Sequence, residues 1–172
     1  MPKSKTPQSL PYRKCVGIMV INSDKKIWMG HRPVIHNDEF KPQDKKRWQM
    51  PQGGVDKGEA PLEAAKRELW EETGITKAKL LGEIPQWLNY DLPVDQIGVA
   101  LKGKYRGQTQ KWFAFQFEGD EREINITHPP HGAPVEFDQW QWVDIEDVTE
   151  RIVAFKRDVY REVVKNFRHL AN

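Results

Sequence analysis

The chain of 172 residues contains one cysteine, Cys15, and has no long apolar run. A single cysteine excludes a disulfide framework within the chain, and its place in the apolar stretch CVGIMVI predicts a buried, inert thiol rather than a nucleophile. No apolar stretch approaches the ~18 residues that a membrane-spanning helix requires, and the polar amino terminus lacks a signal-peptide core. We therefore expect a cytoplasmic protein with no membrane partner.

The sequence also lacks a strong excess of either charge. Its 27 basic and 25 acidic residues give a net charge of +2, and the basic residues are spread along the chain. This balance argues against a general nucleic-acid scaffold, so an anionic partner would be bound locally. With 38% hydrophobic residues, including seven Trp and seven Phe, the chain can bury one full core. We predict a flexible tail over residues 1–11 and one domain over residues 12–172.

Apolar patterning predicts a mixture of strands and helices. The stretch KCVGIMVIN predicts a buried strand, and residues 22–26 predict a turn to a hairpin partner over residues 27–31. Residues 33–46 are polar and irregular and predict a long exposed loop. Further strand-like stretches cover residues 78–87, 111–117 and 136–145, and an amphipathic helix is indicated by Val159, Val163, Phe167 and Leu170. This mixed order favours an α/β sandwich.

One segment, PQGGVDKGEAPLEAAKRELWEETGI over residues 51–75, contains an unusual helix. Pro61 suits the first turn of a helix and Gly74 suits the position just after its end, which predicts a helix over residues 61–73. Its apolar positions share one face, and its carboxylates Glu68, Glu71 and Glu72 share another. Like charges at these spacings destabilise a helix by roughly 0.2–0.5 kcal/mol per pair. A compensating positive charge is therefore expected.

Arg67 and a bound metal ion can provide this positive charge. Arg67 lies four residues from both Glu63 and Glu71 and can pair with either. The glycine-rich loop GGVDKG allows the backbone to approach a ligand closely. Carboxylate oxygens are the ligands that Mg²⁺ prefers, and Mg²⁺ usually keeps waters and substrate phosphates as its other ligands. The segment therefore predicts a hard-cation site beside a phosphate-sized opening, with an acidic surface helix as the alternative interpretation.

The spacing of the polar residues in this segment resembles the complete Nudix box. The matching positions are Gly53, Glu59, Arg67, Glu68, Leu69, Glu71, Glu72, Gly74 and Ile75. This resemblance implies an α/β/α sandwich with a central mixed β-sheet, and hydrolysis of a nucleoside diphosphate linked to another group. It also implies that Glu68, Glu71 and Glu72 are metal ligands and that Arg67 and Glu59 orient them.

Sequence outside the box is similar to the RNA pyrophosphohydrolase branch, which is close to the asymmetrically cleaving dinucleoside polyphosphate hydrolases. The similar segments are WQMPQGG, WLNYDLP, GQTQKWF, EFDQWQWV and FKRDVY. The chain departs from this pattern in a longer loop over residues 33–46 and in Val135, which separates Pro134 from Glu136. The similarity implies removal of pyrophosphate from 5′-triphosphorylated RNA, with Mg²⁺ or another divalent cation such as Mn²⁺, and a place in mRNA decay. It also implies activity on dinucleoside polyphosphates.

The same similarity extends the set of candidate site residues. Glu136 is expected as a further metal ligand or base, Gly53 as a further metal-binding position, and the general base is left open among Glu71, Glu72 and Glu136. Substrate-binding candidates are Arg13, Arg32, Gln52, Gly53, Gly54, Tyr90, Lys111, Val153, Phe155 and Lys156. In this set Tyr90 and Phe155 are expected to sandwich a purine from an exposed platform. Arg13 and Lys156 are expected to contact RNA phosphates outside the catalytic pocket.

Two alternatives to an RNA enzyme remain open on the sequence. The segment WLNYDLP fits a diadenosine tetraphosphate hydrolase without an RNA role equally well. A non-catalytic Nudix-like nucleotide-binding module would typically lack a box glutamate, and this chain has them all. His128 and His131 are predicted to lie in a solvated, proline-rich loop, and Trp140 and Trp142 at the edge of the core.

Overall fold

The computed structural model describes residues 9–34 and 39–172. The strands are β1 (Tyr12–Ile21), β2 (Ile27–His31), β3 (Trp48–Gln49), β4 (Gln52–Gly54), β5 (Ala78–Glu83), β6 (Leu88–Asp91), β7 (Gly107–Phe117) and β8 (Gln139–Val143). The α-helices are α1 (Pro61–Thr73), α2 (Val148–Arg151) and α3 (Arg157–Phe167). None of the helices in the described ranges is both long and apolar enough to cross a membrane.

The strands form one mixed sheet with the central order β3-β2-β1-β7-β5. Strands β1 and β7 pair in parallel, with Tyr12 opposite Gly107 and Ile21 opposite Gln116. The other pairings are antiparallel, and they add β4 to β1, β6 to β7 and β8 to β2. A parallel pair at the centre of a sheet requires apolar side chains on both faces, and the long apolar run of β1 satisfies this requirement.

Helices cover both faces of the sheet. In β1, Val16, Ile18 and Val20 belong to a core formed with α1, whereas Met19 and Ile21 belong to a second core formed with α2 and α3. This alternation follows from the two-residue period of a strand. The predicted α/β/α sandwich is therefore confirmed.

Helix α1 has the bounds that the sequence predicts. Pro61 occupies the first turn, where no intrahelical donor is needed. Gly74 adopts φ = 78°, and its N–H donates to the carbonyl of Trp70 at 2.8 Å, which ends the helix. Ala65 and Leu69 are buried against the sheet, so the carboxylates of the helix project beside it.

Some predicted element bounds differ from the structure. The predicted strand over residues 78–87 is shorter in the structure, where β5 ends at Glu83 and the next strand, β6, begins at Leu88. Pro85 lies between them and has no amide hydrogen to continue a ladder. Strand β7 begins at Gly107, earlier than the predicted 111, and Leu170 lies in a short 3-10 turn that follows α3.

The predicted exposed loop over residues 33–46 is wrong for two of its members. Glu39 and Phe40 are buried, at 5% and 2% exposure. The guanidinium carbon of Arg47 lies 5.4 Å from the centre of the Phe40 ring, which anchors the end of the loop. Residues 35–38 of this loop and residues 1–8 of the predicted tail lie outside the described residues.

Candidate functional site

Helix α1 and strand β4 meet at the candidate site. Glu72 is buried, and its carboxylate accepts a hydrogen bond from the backbone N–H of Gln52 at 3.2 Å. A Cβ atom on Gly53 would lie 2.0 Å from the carboxyl carbon of Glu68. Glycine at this position therefore leaves room for the Glu68 carboxylate, which any larger side chain would displace.

Arg67 holds the acidic groups of the segment together. Its guanidinium donates to Glu59 at 2.8 and 3.0 Å, to Glu68 at 2.9 Å, to Glu71 at 3.2 Å and to the carbonyl of Gly54 at 2.8 Å. Of the two partners that helical spacing allowed, the structure selects Glu71. Glu63 instead lies 3.8 Å from Lys66. The hydrogen bonds from Arg67 lower the pKa of Glu59, which therefore stays charged.

Glu136 joins this group from the loop that precedes β8. It lines a cavity of about 210 Å³ together with Glu68, Glu71 and Glu72. The guanidinium of Arg32 donates to its carboxylate at 3.2 Å. Val135, which interrupts the family pattern, is 45% exposed. The extra residue therefore points away, and four carboxylates share one cavity.

The carboxylates of this cavity are incompletely neutralised. Burial raises the pKa of Glu68 to about 7, although Arg67 opposes the shift. Burial also raises the pKa of Glu72, and repulsion from Glu136 and Glu68 raises it further. Four carboxylates are thus crowded together, and the side chains of Arg67 and Arg32 are hydrogen-bonded to three of them.

This donor set fits a divalent cation, because crowded carboxylates with raised pKa values are stabilised by added positive charge. Within residues 9–34 and 39–172, no group of three or more His, Cys, Asp or Glu side chains is close enough together to hold a metal ion by itself. An open arrangement suits Mg²⁺, which keeps waters and substrate oxygens in its coordination shell. The oxygen donors of this cavity therefore suit a hard cation, which would complete its coordination with waters or substrate oxygens.

A second cavity of about 220 Å³ continues from the carboxylates and has cations on its wall. It is lined by Arg13, Arg32, Glu39, Gln52, Gly53, Gly54, Glu68, Glu72, Leu101, Gln108 and Glu136. We refer to this cavity and the carboxylate cavity together as the cleft. The structure thus brings five predicted substrate-binding residues, Arg13, Arg32, Gln52, Gly53 and Gly54, to the same opening.

Lys111 does not reach the cleft. Its Nζ donates to the carbonyl of Pro85 at 2.9 Å and lies 3.4 Å from the carboxylate of Glu83. Both partners belong to the end of β5 and the turn that follows it. The structure therefore does not bring Lys111 to the cleft with Arg13 and Arg32, because its side chain points toward the end of β5.

The exposed platform predicted for Tyr90 and Phe155 is also wrong. Tyr90 is 5% exposed, and its hydroxyl donates to the carboxylate of Glu39. The two ring centroids are 5.7 Å apart and the rings are tilted by 46°. A base between two rings needs roughly 7 Å, since each stacked layer takes about 3.5 Å. Tyr90 is therefore part of the core, and the half-buried ring of Phe155 packs against it.

Lys156 and Val153, two further predicted substrate contacts, are buried as well. Lys156 is 1% exposed, and its Nζ lies 3.5 Å from Glu39 and 3.4 Å from the side-chain oxygen of Gln52. Val153 is 6% exposed and packs in the core with α3. Lys156 therefore supports the cleft from below, and its expected contact with outer RNA phosphates is wrong.

Sequence reasoning missed a buried glutamine network beneath the cleft. The amide nitrogen of Gln110 donates to Gln108 at 2.9 Å and to Gln52 at 3.2 Å. A signal was present, because Gln108 and Gln110 are two residues apart on a strand and so share a face. No comparable signal marks Glu39, which lies in a polar loop and is buried by tertiary contacts.

Cys15, His128 and His131, for which the sequence predicted no catalytic or metal-binding role, lie where they were predicted. Cys15 is fully buried, and burial raises the pKa of its thiol to about 12. His128 and His131 are both exposed. His131 packs edge-on against Trp70 with centroids 4.9 Å apart, whereas His128 contacts Thr127.

The sandwich and its acidic helix define a Nudix-type α/β protein. The NUDIX domain model matches residues 11–163, and the chain belongs to this family. It is 59% identical to the RNA pyrophosphohydrolase of Brucella ovis over 165 residues, which cover 96% of this chain and 92% of the relative. It is 60% identical to the RNA pyrophosphohydrolase of Brucella anthropi over 164 residues, which cover 95% and 94%.

Solved structures with the same architecture are more distant in sequence. The dihydroneopterin triphosphate pyrophosphohydrolase of E. coli superposes with a TM-score of 0.64 at 20% identity, covering 91% of this chain and 99% of that chain. A binary complex of the C. elegans Ap4A hydrolase gives a TM-score of 0.59 at 18% identity, covering 91% and 98%. At these identities the similarity confirms the fold.

Proposed function

We propose that this protein is a metal-dependent pyrophosphohydrolase that removes pyrophosphate from the 5′ end of triphosphorylated RNA. The observation that carries this proposal is the cleft in which Glu68, Glu72 and Glu136 face Arg13 and Arg32. Such a site matches a polyphosphate, because the arginines can bind its oxygens and the carboxylates can hold a metal ion beside it. The high identity to the Brucella proteins named RNA pyrophosphohydrolase supports RNA as the substrate.

In the proposed reaction, water attacks the innermost phosphorus of the 5′-triphosphate, and the RNA keeps a 5′-monophosphate. The water oxygen bonds to the phosphorus next to the RNA, the bond from that phosphorus to the bridging oxygen breaks, and pyrophosphate leaves. Arg13 and Arg32 neutralise the polyphosphate oxygens, and one of Glu71, Glu72 and Glu136 accepts the proton of the water. A bound divalent cation supplies Lewis acidity and lowers the pKa of a bound water.

The residues proposed to hold the cation are Glu68, Glu71, Glu72 and Glu136, with Gly53 beside them. Mg²⁺ is the proposed ion, because the donors in the cleft are oxygens. We also place the protein in the cytoplasm and its reaction in mRNA decay. The free, buried thiol of Cys15 is compatible with a reducing compartment.

The test offers equal concentrations of triphosphorylated RNA and diadenosine tetraphosphate in the presence of Mg²⁺. We expect monophosphorylated RNA and pyrophosphate as products, loss of turnover with excess chelator, and recovery when Mg²⁺ is restored. Glu72→Gln should lower turnover by orders of magnitude and keep a native circular-dichroism spectrum. Near-normal turnover of this variant at saturating substrate and Mg²⁺ would contradict the assigned metal site.

A second candidate function is asymmetric hydrolysis of dinucleoside polyphosphates. The same cleft favours it, because its cations can bind a polyphosphate whether one or both ends carry a nucleoside. Turnover of diadenosine tetraphosphate without turnover of triphosphorylated RNA would make this the main activity. Binding of either compound without products would instead indicate a non-catalytic nucleotide-binding module.

A further inference from the structure

A basic cavity lies next to the cleft, and apart from Arg13 its lining residues have no role in the proposed reaction. Its volume is about 290 Å³, and it is lined by Arg13, Leu101, Lys102, Lys104 and Tyr105. We call it the lysine cavity. Arg13 and Leu101 also line the cleft, so the two openings share a wall. The two cavities are therefore adjacent, with Arg13 between them.

The lysine cavity carries positive charge that nearby side chains do not neutralise. Its lining contains no acidic residue, and Lys102 and Lys104 are exposed. Within residues 9–34 and 39–172, Lys102, Lys104 and Arg13 form no salt bridge. The neighbouring Arg106, in contrast, pairs with Asp91 at 2.8 Å. Three cationic side chains without a salt-bridge partner among the described residues thus line one cavity.

The loop that carries the two lysines has a defined conformation. Leu101 and Lys102 adopt positive φ values of 53° and 60°, and the N–H of Gly103 donates to the carbonyl of Ala100 at 3.0 Å. Ala100 is fully buried, which anchors the loop in the core. A side chain at Gly103 would lie 2.8 Å from the carbonyl oxygen of Gly98. The lysines are therefore presented by a packed turn.

We propose that the lysine cavity binds the phosphodiester backbone of the RNA nucleotides that follow the triphosphorylated one. This inference rests on the proposed function. With the triphosphate at the carboxylates, the rest of the RNA must leave the cleft, and the wall shared with the lysine cavity offers cations along that path. Lys102 and Lys104 take the place that the sequence suggested for Lys156, which is buried. The half-buried Tyr105 offers an aromatic face to a base.

The test compares substrates of increasing length. We would measure kcat/KM for a nucleoside triphosphate, for 5′-triphosphorylated oligoribonucleotides of two to five nucleotides, and for diadenosine tetraphosphate. The wild-type protein should gain efficiency with length, and the double variant Lys102→Gln with Lys104→Gln should lose that gain. For the longer RNAs, the slope of log kcat/KM against log salt concentration should become shallower by about 0.7 for each lysine removed. Nucleoside triphosphate and diadenosine tetraphosphate should be cleaved at the wild-type rate.

A matched control removes the same charge elsewhere. Lys25 is exposed and, like Lys102, has a positive φ, of 63°, but it follows the far end of β1 from Arg13. Lys165 is exposed on α3. The double variant Lys25→Gln with Lys165→Gln should keep both the length dependence and the salt slope of the wild-type protein.

The following outcomes would overturn the proposed role of the lysine cavity or the proposed function. Equal losses on diadenosine tetraphosphate and RNA would place the lysines at the polyphosphate and overturn the proposal, as would an unchanged length dependence in the Lys102 and Lys104 variant. If the wild-type protein cleaves no triphosphorylated RNA, the proposed function fails. The lysine cavity is then judged by fluorescence anisotropy with a 5′-monophosphorylated RNA pentamer. Weaker binding by the double variant than by its control supports the cavity, and equal binding overturns it.

Discussion

Arg67 and Glu59 are joined by two hydrogen bonds, Nε to Oε2 at 2.8 Å and Nη2 to Oε1 at 3.0 Å. This two-point pair sets the plane of the guanidinium. The remaining Nη1 nitrogen then donates to Glu68 and Glu71. The orientation of the Glu68 and Glu71 carboxylates, which we propose as metal ligands, therefore depends on the shape of Arg67 as well as on its charge.

Arg67→Lys should separate these two contributions. Lysine keeps the charge but cannot form the planar fork, so Glu68 and Glu71 lose a fixed partner. We expect activity to fall by about 10–100-fold, the range found for residues that orient metal ligands. Steady-state kinetics at several Mg²⁺ concentrations would measure the loss. Lys66→Ala on the same helix, which removes an exposed cation, is the control, and equal activity of the two variants would contradict the role of the fork.

Gly53→Ala should displace the carboxylate of Glu68, a proposed metal ligand, with little effect on the fold. The added Cβ would lie 2.0 Å from the carboxyl carbon of Glu68, and this flexible side chain must move away. A shift of about 1 Å in a catalytic group can lower the rate by up to about 100-fold. Gly82→Ala in β5 is the matched control, because nothing lies within 4 Å of its added Cβ. Kinetics and thermal melting of both variants would test this, and unchanged kinetics for Gly53→Ala would refute the close contact.

The metal-free protein should lose stability as the pH rises from about 4.5 to about 7. Burial raises the pKa of Glu68 from 4.5 to about 7, and the pKa of Glu72 is raised as well. Between these values the folded state binds more protons than the unfolded state, so the free energy of unfolding falls with rising pH. Mg²⁺ binds the deprotonated carboxylates, and its stabilising effect should therefore increase over the same range.

Thermal melting in chelator and in excess Mg²⁺ across this pH range would measure both effects. Glu68→Gln removes one of the two titrating groups, so its melting temperature in chelator should depend less on pH. A metal-free wild-type protein that becomes more stable between pH 4.5 and 7 would show that other groups dominate.

Tyr90→Ala should destabilise the fold rather than only weaken nucleotide binding. Its ring is buried against Phe155, and removing a large buried aromatic side chain costs about 3 kcal/mol or more. For a chain of this size the melting temperature should then fall by roughly 6–12 °C. Tyr90→Phe keeps the ring and removes only the hydroxyl that donates to Glu39, so it should melt closer to the wild-type protein. A normal melting temperature for Tyr90→Ala, with weaker nucleotide binding, would restore the stacking role.

The sequence alone determined the sandwich, helix α1 and the acidic array on it. These features depend on local spacing: Pro61 and Gly74 bound the helix, and a period of 3.6 residues places Glu68, Glu71 and Glu72 together. The alternation of apolar residues in β1 likewise determines which side chains enter each core. Because such patterns lie within a few residues of one another, they can be recognised before the chain is folded.

Only the tertiary structure decided which residues complete the site. Glu136 is distant in the chain from Glu68, yet both line one cavity, and Arg67 selects Glu71 over Glu63 because Glu59 positions its guanidinium. Burial of Tyr90 and Lys156 is likewise decided by packing against a loop that the sequence suggested was exposed. An aromatic or cationic residue has the same local pattern whether its face is solvated or covered, and distant segments determine which of the two it is.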